Sequence, residues 1–141
     1  MPLSWAIVSL ARMTQSRVAG QFIKAPTGMG VAAAIRQVRL RGATPHVLDG
    51  SGAQSPATIL ELIARALDFP EDFGHNFDAL YDCLTDLSWL PAGEHVLIWS
   101  KPSALRRADP TAYDALGSVL SDAVADGASG KVAFSVTMLA N

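Results

Sequence analysis

Apolar positions along this chain follow two periods, and the way they alternate predicts its architecture. The run "SPATILELIARAL" (55–67) places Ile59, Leu62, Ile63 and Ala66 on one helical stripe, behind Ser55 as capping residue and Pro56 at the first helical position. "DPTAYDALGSVLSDAVADG" (109–127) repeats the device with Asp109 and Pro110, lines up Tyr113, Leu116, Val119, Leu120 and Val124, and stops at Gly127. Between them a loop (68–75) containing Pro70 and Gly74 leads to Asn76, which can cap a helix with Phe77, Leu80, Leu84 and Leu87 on its apolar face. "HVLIW" (95–99) is continuously apolar and suits a strand covered on both faces, followed by a polar connection. "GQFIKAP" (20–26), "HVLDG" (46–50) and "KVAFSVTML" (131–139) read as further strands, and "GVAAAIRQVRLRG" (30–42) as a helix closed by Gly42. Strands alternating with helices predict an α/β fold, a small and mostly parallel sheet flanked by helices.

A chain of 141 residues, 50% apolar, suffices for one well-filled core. Its net charge of −2 conceals a division that changes the picture. Residues 1–45 carry Arg12, Arg17, Lys24, Arg36, Arg39 and Arg41 and no acid, whereas residues 46–141 carry all thirteen acids against five bases. This predicts a basic N-terminal extension (1–45), packed on or beside the core, ahead of an acidic domain (46–141). An acidic body argues against nucleic acid as the direct ligand, because phosphate binding needs clustered Lys and Arg, and favours a basic protein partner. Cys83 is the single cysteine, so no internal disulfide is possible and the reducing cytoplasm is the expected compartment. "SWAIVSLA" (4–11) has no positive charge before it and is too short to span a bilayer, so neither a signal peptide nor a membrane anchor is expected.

The third helix carries the candidate chemistry. Asp78, Asp82 and Asp86 recur every four residues and stack along one face, and Asp68, Glu71 and Asp72 precede them, so six acids and no base lie between 68 and 86. A solvated face would account for Asp78, which the helix dipole favours in the first turn, but Asp86 sits at the end where the dipole disfavours an anion. The alternative is a recognition surface that imitates nucleic-acid phosphates. Carboxylates held on a rigid helix can enter a pocket of Arg, Lys and His through charge-assisted hydrogen bonds, with Phe73, Asn76, Tyr81 and Thr85 supplying contact area and fixed polar groups.

The segment "FPEDFGHNFDALYDCLTDL" (69–87) resembles the loop-and-helix motif of the barstar family, intracellular inhibitors of secreted barnase-type ribonucleases. The resemblance runs from "HVLDG" to the last strand, about residues 46–139, and implies a small parallel sheet flanked by helices. It puts Asp82 where the family places the aspartate that sits in the ribonuclease active site in place of a substrate phosphate. Asp78 and Thr85 match enzyme-contacting positions, Tyr81 an aromatic that packs on the enzyme, Asp122 an acid on the later helix, and Phe73 the second of an aromatic pair. Asp72 replaces the first aromatic of that pair, Asp86 and Leu87 stand where the best-known member has Gly and Trp, and Ala128 takes the place of a second cysteine. The expectation is a cytoplasmic, non-enzymatic inhibitor without cofactor, monomeric when free. Its partner would be a basic ribonuclease or a toxin-like relative, with no direct nucleic acid and no membrane involved.

Other signals compete. "GMGVAA" (28–33) spells G-x-G-x-x-A, with Asp49 at the end of the next strand as a ribose-binding acid, so Gly28 and Gly30 define a nucleotide-binding alternative. Cys83 could serve as nucleophile with His75 or His95 as base, although Leu80 and Leu84 beside it favour a structural thiol. His75, Asp78 and Asp82 share a helical side but offer no further nitrogen or sulfur ligand for a metal. Trp89 and Trp99 read as core or rim residues, and Trp5 as part of an apolar anchor.

Overall fold

The computed structural model describes residues 20–127 and 130–141; Trp5, "SWAIVSLA" and Ala128 lie outside them. The described elements run β1 (Phe22–Lys24), α1 (Val31–Leu40), β2 (Thr44–Asp49), a 3-10 turn (Gly50–Gly52), α2 (Pro56–Ala66), α3 (Phe77–Asp86), β3 (Gly93–Ser100), α4 (Ser103–Ala108), α5 (Pro110–Gly127) and β4 (Val132–Met138). The four strands form one parallel sheet in the order β1-β4-β3-β2. The fold is the α/β architecture that the alternation predicts, and a strand followed by a helix precedes the segment that resembles the inhibitor family.

Burial explains the topology. Val96, Leu97, Ile98 and Trp99 of β3 are each fully buried, because the strand is central and both its faces are covered. Leu97 and Trp99 join a large core with Leu48, Ile59, Ile63, Leu80, Leu84, Leu116, Leu120 and Phe134, contributed by α2, α3, α5 and the neighbouring strands. Val96 and Ile98 face the other way, onto Ala34 and Val38 of α1. The N-terminal strand and helix therefore supply an edge strand and the cover for the second face.

Local chemistry sets the ends of the elements. Ser55 Oγ caps α2 through the Thr58 amide at 3.2 Å, and Asp109 Oδ1 caps α5 through the Ala112 amide at 3.0 Å. The helix α1 closes with Gly42 at φ +84°, its amide donating to Arg39 O (3.0 Å) and that of Ala43 to Val38 O (3.1 Å), the two bonds of a Schellman stop. β1 is shorter than its apolar run, although Gln21 O and the Ala25 amide still bond to β4 at 2.9 and 2.8 Å. Pro26 has no N–H with which to continue. β2 starts earlier than expected, and Pro45 is tolerated there because β2 is an edge strand. Along α2 the buried residues are Ile59, Leu60 and Ile63, so the stripe is rotated toward Leu60 and away from Leu62. The connection after β3 is not wholly irregular: it contains α4, whose one buried residue, Leu105, leaves too little periodicity to read.

Two polar networks tie distant segments. Arg41, just past α1, grips Glu94 of β3 with two hydrogen bonds of 3.1 and 3.0 Å, and Ser135 Oγ donates to Glu94 at 2.6 Å while accepting from the Gln21 amide at 3.0 Å. On the opposite face His46 of β2 and His95 of β3 are linked Nε2 to Nδ1 at 2.8 Å, His46 Nδ1 lies 3.0 Å from Ala66 O, and His95 Nε2 lies 2.8 Å from Pro91 O. Carbonyls only accept, so His46 Nδ1 and His95 Nε2 each present an N–H to a backbone oxygen. Protonating both rings would set two N–H groups against each other at the contact between them.

Replacing Arg41 by Ala should lower stability by about 2 kcal/mol or more in chemical denaturation, because it leaves the Glu94 carboxylate, whose side chain is only 7% exposed, without its cation. Burial first, and the neighbouring His95 after it, hold the His46 pKa below the ordinary histidine range despite the bond to Ala66. The unfolded chain thus binds more protons than the fold once the pH drops below about 6.5, and stability that is complete above that pH should decline beneath it. Denaturation of His46→Gln should show a shallower decline across the same range.

Candidate partner-binding surface

The acidic segment is held from both ends. Asp68, at φ +55°, closes α2 in a left-handed turn, with the Phe69 amide donating to Ala64 O at 2.9 Å, and this sends the loop back toward α3. Asn76 Oδ1 caps α3 through the Ala79 amide at 2.7 Å, and its Nδ2 donates to Gly74 O at 3.3 Å. His75, at φ +51°, faces Phe73 O at 2.9 Å and Glu61 Oε2 at 2.8 Å, which pins the loop to α2. Leu87 ends α3 at φ +44°, a conformation expensive for a branched residue, and is held there by complete burial and by its amide bond to Cys83 O at 3.0 Å.

α3 turns Leu80 and Leu84 into the core and leaves Asp78, Asp82 and Asp86 exposed. Thr85 Oγ1 donates to Tyr81 O at 2.9 Å, so its hydroxyl is engaged within the helix. Tyr81 reaches across to α5, where its hydroxyl donates to the Asp126 carboxylate. That bond, followed by desolvation and by the charges of Asp126, Asp122 and Asp82, raises the Tyr81 phenol above its ordinary range. The charges of Asp82 on α3 and of Asp122 and Asp126 on α5 thus all act on the Tyr81 hydroxyl. Asp126 was not singled out from the sequence; its spacing of four from Asp122, on a helix that packs against α3, is the signal that points to it.

The expected site residues are not all alike. Asp78, Tyr81, Asp82 and Thr85 lie together on α3, and Asp122 joins them from α5. Asn76 is exposed, but its side chain is committed to the cap. Phe73 is 7% exposed and packs against Phe69 (ring centroids 5.0 Å apart) and His75 (4.7 Å), so it shapes the loop from beneath. Trp89 lies at the rim, with Nε1 donating to Leu67 O at 2.9 Å, and Trp99 is in the core.

None of the acids at 68, 71, 72, 78, 82, 86, 122 and 126 enters an ion pair among the described residues; the bridges found there use Glu61 and Glu94. Asp86 and Asp126 occupy last helical turns, where the dipole disfavours them, and no base shares those turns. The result is an exposed face on two helices with a standing electrostatic demand for cations.

The competing chemistries find less support. Burial, then the charges of Asp72, Asp86 and Asp82, push the Cys83 thiol up, away from the thiolate a nucleophile needs. Both ring nitrogens of His75 are engaged, and the described residues contain no cluster of three His, Cys, Asp or Glu able to hold a metal. The glycine loop follows β1 while Asp49 ends β2, and these strands form opposite edges of the sheet. Three strand spacings of about 4.8 Å put them about 14 Å apart, whereas the dinucleotide arrangement needs adjacent strands. No described helix is long and apolar enough to cross a membrane.

Ultraviolet titration should find the Tyr81 phenol ionising above the ordinary tyrosine range. Asp126→Asn, which removes the accepting charge, should bring it down toward that range.

No curated protein matches the chain. A family model described as Barstar (barnase inhibitor) matches residues 43–138, the stretch that holds β2, the acidic loop and helix, β3, α4, α5 and β4. With 96 of its 141 residues matched, and with the parallel sheet and acidic helix in place, the chain belongs to the barstar family.

Proposed function

We propose that this protein inhibits a basic barnase-type ribonuclease, or a toxin-like relative, by seating the α3 acids in the enzyme's phosphate-binding site. The observation that supports this most is the exposed carboxylate face of Asp78, Asp82 and Asp122, unpaired among the described residues and inside the family-matched segment. An active site built to hold RNA phosphates presents clustered cations, and Asp82, in the middle of α3, offers a fixed carboxylate to them. Asp78 and Asp122 extend the negative field around it, Tyr81 is oriented by Asp126, and the helix carries the group without needing to be ordered on binding. The protein performs no chemistry in this role and needs no cofactor. It acts by occupancy, in the cytoplasm, on an enzyme that would otherwise attack RNA there.

Asp82→Ala should melt at the wild-type temperature or slightly above it, since it removes repulsion within the helix. Titrated against the isolated ribonuclease, it should lose about 2 to 5 kcal/mol or more of affinity, because enzyme cations are then buried without an anion. Asp86→Ala should change affinity by less than about 1 kcal/mol, as expected of an exposed rim charge. Wild-type binding by Asp82→Ala, or a larger loss from Asp86→Ala, would sink the assignment. Raising salt should slow association much more than it speeds dissociation; a salt-independent association rate would count against steering by the acidic face.

A further inference from the structure

A second charged feature lies at the other end of α5. The carboxyl ends of β1 and β4 open into a cleft of about 470 Å³, within the range that accepts a small organic ligand. Three cations stand around it, Lys24 at the end of β1 and Arg106 and Arg107 on α4. All three are exposed, and none enters an ion pair among the described residues. The nearby Asp109 does not neutralise them by contact; its carboxylate is the cap of α5. Tyr113 and Met138 form an apolar wall, joined by a contact of 3.4 Å from the Tyr113 hydroxyl to Met138 Sδ, and Asn141 is fixed by the Lys101 amide, which donates to its Oδ1 at 2.8 Å.

The position and the charge agree. Open parallel sheets bind their ligands beyond the carboxyl ends of the strands. Three neighbouring cations repel one another, and a multivalent anion with several acceptor oxygens removes that repulsion while bonding to each. Tyr113 and Asp126 are thirteen residues apart on α5, about 20 Å at about 1.5 Å per residue, so the cleft is separate from the acidic surface. The Gly28–Gly30 loop does not line it.

We propose that this cleft binds a small organic phosphate of about the size of a nucleoside monophosphate, its phosphate held by Lys24, Arg106 and Arg107 and its organic part against Tyr113 and Met138. The test is calorimetric titration of the full chain with adenosine monophosphate, adenosine and inorganic phosphate in parallel. The monophosphate should bind saturably with Kd of about 1 mM or tighter, inorganic phosphate more weakly, and adenosine without saturation. The exposed pair Arg106→Gln/Arg107→Gln should melt like wild type and weaken the monophosphate about tenfold or more, and Lys24→Gln should weaken it on its own. Asp82→Ala should bind the monophosphate as wild type does, which separates this site from the proposed inhibitory one. No saturation by about 10 mM monophosphate, unchanged affinity in the double variant, or equal binding of adenosine would overturn the proposal. Tighter, steeply salt-dependent binding of a single-stranded RNA oligonucleotide would overturn it in favour of a nucleic-acid surface.

Discussion

From Val96 to Trp99, β3 has no side open to solvent, and the rest of the described structure is arranged around that fact. A strand on which four consecutive side chains are fully buried requires apolar cover on two sides, each large side chain contributing about 1.5 to 3 kcal/mol when removed from water. The larger core under α2, α3 and α5 supplies one side, and α1 supplies the other through Ala34 and Val38. The Arg41–Glu94–Ser135 network then sets where α1 meets the sheet, because a buried carboxylate tolerates few positions for its cation.

The same packing makes the acidic face possible. Like charges four residues apart on a helix repel by only a few tenths of a kcal/mol per pair, and acids in a last turn add a comparable penalty. Burial of Leu80, Leu84 and Leu87 outweighs those terms several times over. The helix can therefore hold Asp78, Asp82 and Asp86 in water without a cation of its own, and the unrelieved field remains available to a basic partner. Tyr81 couples this face to α5, so the candidate surface belongs to two helices and inherits its rigidity from the α3–α5 contact.

α5 also organises the charge of the described residues. Its last turns carry Asp122 and Asp126, while its first turn stands beside the cleft rimmed by Lys24, Arg106 and Arg107. The division into a basic N-terminal third and an acidic remainder is thus only partly a division in space. Lys24 is brought beside arginines more than eighty residues later, and Arg41 is consumed by a buried pair.

Several features were already determined by the sequence, because their causes are local. Capping by Ser55, Asn76 and Asp109, the helical stripes behind them, the unbroken apolar run of β3 and the four-residue spacing of the aspartates act within a turn or two of chain, and each appears where its pattern places it. Three more features were decided by tertiary structure, since they depend on which faces must be covered. Those are the strand order that parts Gly28 from Asp49, the burial of Phe73 beneath the loop it was expected to decorate, and the choice of Leu60 over Leu62. Asp126 beside Tyr81, His46 against His95 and the cationic cleft share that origin. Each joins residues separated by 45 or more positions, and no local periodicity records a contact that exists only once two faces of β3 have been closed.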